Sequence, residues 1–213
     1  MNVAVGAVAG VAVTPLVYWA ATRMLNTAVR IPRTPEAMVV LTAACAAADA
    51  AVATLTGPIT ITAYAVFAFA VLTAAVVDAV ERRIPNRITY PLLAIGVLGL
   101  PWLWLTPPIT GWTLLAPLTG AVISGCIGML NAVFADQGLG DVKLAAVIGA
   151  WMAHLGLLPW MTGMMLGQIL MIAAISGNQL RRRWAGLPRD YTPLGPSLAG
   201  GAVLAVAAAG FAF

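Results

Sequence analysis

Charge is scarce in this sequence. Eleven lysines and arginines and seven aspartates and glutamates make up 8% of 213 residues, against 62% hydrophobic residues and a mean hydropathy of +0.96. A soluble domain of this size needs a far more charged surface, so that class is excluded and the chain belongs in lipid. Cysteine is nearly absent. Cys45 and Cys126 each stand in an apolar run, and no CxxC pair exists to build a zinc knuckle or a thiol redox centre, which leaves them as small buried hydrophobes. With one histidine, His154, the chain offers no credible metal cluster, and neither metal nor cofactor is expected. The first apolar stretch has no basic residue before it, Arg23 being the first, so it reads as a permanent span and not as a cleaved signal. The net charge of +4 comes from short clusters between apolar segments, the pattern of bilayer anchoring, and no nucleic-acid partner is expected.

What is abundant is apolar sequence in long runs. A hydrocarbon core of about 30 Å takes roughly 20 residues of helix. Cutting the chain where charge, proline or glycine interrupts the runs predicts a single all-α, polytopic bundle over 1–213 with about eight spans, near 3–22, 37–55, 59–80, 88–105, 112–134, 142–155, 159–179 and 195–213. The sixth is short. Gly6xxxGly10 and Gly163xxxGly167 predict helices in close approach.

The basic residues fall on alternate loops. Arg23, Arg30 and Arg33, then Arg82, Arg83 and Arg87, then Lys143, then Arg181, Arg182, Arg183 and Arg189 occupy the odd-numbered loops, and the even ones carry none. The positive-inside rule then puts the N-terminus outside and the odd loops in the cytoplasm. Trp102, Trp104, Trp112, Trp151 and Trp160 read as anchors at the outer interface, Trp19 and Trp184 near the inner one.

An ionisable group at membrane depth is costly and therefore a functional candidate. Glu36, Glu81 and Asp190 sit beside arginines and read as solvated or ion-paired, and Asp136 lacks a glycine approach. Asp49 lies inside the second span. Asp78, in the last turn of the third span, and Asp141, opening the sixth after Gly138-Leu139-Gly140, share the cytoplasmic end on this topology. Two carboxylates close together in a low-dielectric site tend to share one proton, so that one activates a water while the other donates to a carbonyl. The glycines before Asp141 are expected to supply unusual backbone angles and close approach. A reading from another class is a small proton- or cation-coupled transporter with Asp49, Asp78 and Asp141 as its path, although no internal repeat supports it.

Gly138-Leu139-Gly140-Asp141-Val142-Lys143-Leu144 resembles the GxGDxKL signature of type IV prepilin peptidases, aspartic proteases of the membrane. Asp78 followed by Arg83-Ile84-Pro85-Asn86-Arg87-Ile88-Thr89, and Pro193-Leu194-Gly195-Pro196-Ser197-Leu198, are similar to two further motifs of that family, in its order. The resemblance implies cleavage of a short basic leader from prepilin-like precursors at the cytoplasmic face of the cell membrane. It makes Asp78 and Asp141 the catalytic pair, with Gly138, Gly140 and Lys143 shaping the site loop and Pro85, Asn86, Gly195 and Pro196 as substrate or packing contacts. Lys143 can equally serve as an interfacial anchor. Bifunctional relatives carry a cysteine-rich domain between the first two helices; here that loop, 23–36, has no cysteine. The expectation is a short form like those of Flp or Tad pili, a peptidase without N-methyltransferase activity.

Overall fold

The computed structural model describes residues 3–25, 34–55, 58–99, 111–135, 138–188 and 192–211. Among them there are eight α-helices and no strand: α1 (Val3–Met24), α2 (Pro35–Val52), α3 (Pro58–Glu81), α4 (Asn86–Ala94), α5 (Gly111–Ala135), α6 (Leu139–Leu155), α7 (Leu157–Trp184) and α8 (Gly195–Phe211). Five, namely α1, α2, α3, α5 and α7, are long and apolar enough to cross a membrane, and α8 is a shorter apolar helix. The chain is a multi-pass membrane protein. Many side chains along the helices face outward although apolar, Val8, Val39, Val40, Leu98, Val133 and Leu158 among them, because lipid rather than water is their solvent.

Local sequence explains the helix limits. Thr34 accepts a bond from the Ala37 amide and Pro35 occupies the first turn of α2, a capped start needing no tertiary help. The fourth predicted span is only partly regular: α4 passes into a π-helical turn at Ile95–Gly99, four residues beyond Pro91, which has no N–H to give. Its predicted end, with Trp102, Trp104, Asp136 and Asp190, lies outside the described residues.

The short α6 is the axis of its half of the bundle. Leu144, Ala145 and every residue from 147 to 153 are buried, so this helix needs no lipid-facing surface. Gly120 of α5 and Gly149 of α6 lie backbone to backbone, and Gly201 of α8 packs on Gly163 and Gly167 of α7. Gly6 and Gly10 fit the same way against the α2 backbone at Asp49 and Cys45, so both predicted glycine pairs work as close-approach surfaces.

Two expected anchors are interior. Trp151 is 1% exposed, stacks on Phe67 at 4.7 Å, meets Tyr64 edge-on at 5.4 Å and donates its indole N–H to the Leu92 carbonyl at 2.9 Å. Trp160 is buried and donates to the Ser124 hydroxyl at 3.0 Å. Each indole finds its acceptor inside the bundle, which removes its preference for the headgroup region. Trp19 and Trp184 are exposed as expected, whereas Cys126 faces outward, contrary to expectation.

Candidate active site

Three helix termini converge at one end of the bundle. Asp78 sits in the last turn of α3, Asp141 in the first turn of α6 and Gly195 at the first position of α8. Both carboxylates are buried, Asp78 at 1% and Asp141 at 2% exposure, and the Gly195 amide donates to Asp78 Oδ2 at 2.9 Å. A helix start leaves backbone N–H groups without internal partners, and a carboxylate is their strongest acceptor. Asp78 therefore joins α3 to α8 through a buried hydrogen bond.

The link between α3 and α4 ties the same end to α6. Arg82, directly after α3, has φ 54°, a left-handed conformation that a non-glycine residue adopts at some cost. That turn carries Ile84 and Pro85, both buried, over the start of α6. A Cβ on Gly140 would lie 3.3 Å from Ile84 Cβ, so only the smallest residue lets the chain ahead of Asp141 seat against Ile84 without a shift. Lys143 donates to Asn86 Oδ1 at 2.9 Å and lies 5.3 Å from the centre of the Tyr90 ring. It is an exposed strut between α6 and α4.

The expectation of unusual backbone angles in the glycine motif is corrected. Gly138 is the extended residue before α6 (φ −72°, ψ 146°), an ordinary start-of-helix geometry, and Gly140 is helical. The positive φ falls at Arg82 instead, for which the sequence carries no signal. Nor is Gly195 simply a packing contact: its amide touches Asp78 directly, and a Cβ there would come within 2.9 Å of the carboxylate oxygen. Pro196 and Asn86 are exposed beside it and beside Lys143, respectively.

Asp49 is not part of this cluster. Its backbone packs on Gly6 near the start of α1, whereas Val77 packs with Ala21 near the end of α1. Fifteen residues of helix separate those levels, about 22 Å at 1.5 Å per residue. Among the described residues no three of His, Cys, Asp and Glu are grouped so as to hold a metal ion. Beside the site, an apolar groove of about 930 Å³ runs between α2, α3 and α8, with Ala75, Ala79 and Pro196 in its wall and Glu36 as its charged residue.

A model of the type IV leader peptidase family matches residues 65–177, more than half of the chain, including Asp78, the Ile84–Asn86 link and the Gly138–Lys143 motif. No curated protein and no solved structure gives a significant match. The family model stops short of Gly195, yet the helix that Gly195 opens closes the site around the matched Asp78. The chain belongs to the type IV leader peptidase family.

Proposed function

We propose that this protein is an aspartic endopeptidase of the cytoplasmic membrane in which Asp78 and Asp141 are the catalytic pair. The observation that carries the reading is the burial of two carboxylates where α3 ends and α6 and α8 begin, with the Gly195 amide on one of them. Carboxyl groups held close together bind one proton between them. The ionised member takes a proton from water as it attacks the scissile carbonyl, and the protonated member donates to the carbonyl oxygen. The water oxygen bonds to carbon, and collapse of the tetrahedral intermediate expels the amine, which leaves with a proton from the pair.

The substrate is a prepilin-like precursor, cut between a short basic leader and the apolar segment that follows. The groove along α3 and α8 lets such a segment lie beside Asp78 at membrane depth. The arginines on the odd loops favour the cytoplasmic side for this end. The short 23–36 stretch, without cysteine, favours cleavage without methylation and substrates of the Flp or Tad type.

Co-expression with a candidate prepilin tests this. Wild type removes the leader, Asp78→Asn and Asp141→Asn do not, and the mature N-terminus has an unmethylated mass. Leader removal by either variant at the wild-type rate would defeat the dyad, and a methylated product would defeat the restriction to cleavage.

A further inference from the structure

The outer face of α7 changes character along its length. Met165, Ile169 and Ile172 are apolar and more than half exposed, and Ser176, Gln179 and Arg183 continue the same face, all exposed. Steps of three and four residues keep these side chains in one stripe. It begins as a surface for hydrocarbon and ends in hydroxyl, amide and guanidinium donors.

The polar end is built, not frayed. Gly186 adopts φ 65°, the Leu187 amide bonds the Arg182 carbonyl at 2.9 Å, and the Gly186 amide bonds the Arg183 carbonyl at 3.2 Å, the paired bonds of a Schellman stop. Arg182 Nε holds the Pro188 carbonyl at 2.7 Å, which pins the returning chain. Leu187 thereby folds back to wall a cavity of about 390 Å³ with Ser176, Gln179, Leu180, Arg182 and Arg183. Trp184, 82% exposed, adds an aromatic ring at the same level, as expected at a headgroup boundary.

We propose that this cavity binds the headgroup of an anionic phospholipid, its phosphate on Arg183 with Ser176 and Gln179 as further donors, and one acyl chain along Ile172, Ile169 and Met165. Charge complementarity selects the anion, and the continuous apolar stripe selects a lipid over a soluble phosphate. The inference does not depend on the peptidase reading.

Native mass spectrometry of the purified full chain in detergent, titrated with phosphatidylglycerol or phosphatidylcholine, tests it. Wild type should retain one phosphatidylglycerol at about tenfold lower concentration than phosphatidylcholine, and Arg183→Gln should abolish that preference. Arg181→Gln, which removes the same charge from another face of α7, should preserve it, and a Ser176→Ala/Gln179→Ala double variant should weaken it. These side chains are exposed, and equal melting temperatures would establish that the variants fold. Equal losses in Arg181→Gln and Arg183→Gln would reduce the effect to diffuse charge and overturn the site. Displacement of the lipid by inorganic phosphate or by deacylated glycerophosphoglycerol would overturn the lipid assignment.

Discussion

Replacing Gly195 with alanine tests the contact between α8 and Asp78 more sharply than removing the aspartate does. The added methyl carbon would stand 2.9 Å from Asp78 Oδ2, 3.0 Å from its Cβ and 3.2 Å from its Cγ, where ordinary contact starts at 3.4 Å. All three clashes fall on one side chain, and the Asp78 backbone is held at the end of α3, its carbonyl bonded to the Arg82 amide at 2.8 Å. Relief therefore requires the carboxylate to swing or α8 to back away by about 0.5 Å, stretching the 2.9 Å bond from the Gly195 amide. A misplacement of about 1 Å costs on the order of a hundredfold in rate, so half of that predicts a fall of about tenfold in kcat, near 1.4 kcal/mol. KM should barely change, because the leader's remote contacts are untouched, and stability should drop by about 1–3 kcal/mol from overpacking. Cleavage of a fluorescent leader peptide by purified protein in proteoliposomes separates kcat from KM, and a melting curve monitors folding. Gly177→Ala is the matched control, since a Cβ there meets nothing within 4 Å. It should leave kcat alone and add up to about 1 kcal/mol of helix stability. A folded Gly195→Ala protein with kcat within about twofold of wild type would refute the reasoning.

Asp78→Asn retains an acceptor for the Gly195 amide, whereas Asp78→Ala strands a buried N–H; both should lose cleavage by about a thousandfold, but only the alanine variant should melt earlier, by about 1–3 kcal/mol. Scanning fluorimetry beside an immunoblot for leader removal checks the pair. Gly140→Ala needs Ile84 to give by a few tenths of an ångström and should keep most of its activity, while Gly140→Leu should lose at least about tenfold in the same blot. Lys143→Met and Asn86→Ala each break the 2.9 Å strut and should slow cleavage by about two- to tenfold; their combination should cost little more than either alone, and additive losses in a double-mutant cycle would show that the contact is not the reason.

The helices were legible because charge, proline and glycine mark where apolar runs stop, and Asp78 and Asp141 were legible because carboxylates in such runs need a reason. What escaped were relations between distant residues. The Gly195 amide and Asp78 are 117 positions apart, and a backbone donor leaves no mark in a motif. Trp151 looked like an anchor because it lies near a loop, but its acceptor at Leu92 is 59 residues away, in a helix that departs from regular spacing just beyond it. Gly140 serves close approach and not an unusual backbone angle, and the two uses of glycine look alike in a sequence. The left-handed Arg82 is opaque for the opposite reason: nothing about an arginine announces that it takes the place a glycine usually fills.

The meeting of helix ends explains how a site of this kind survives in lipid. Carboxylates inside an apolar bundle are costly, and so are the unpaired N–H groups of a helix start buried among neighbours. Bringing the end of α3 against the start of α8 lets each deficit offset the other, so Asp78 is held in place by the architecture whatever its chemistry. Asp141, in the first turn of α6, stands where a helix start likewise favours negative charge. The same geometry accounts for the glycines: a Cβ at Gly195 would press on Asp78 itself, and a side chain larger than alanine at Gly140 would push Ile84 off the start of α6. Stability and chemistry therefore come apart only in substitutions that preserve the acceptor while removing the titratable proton.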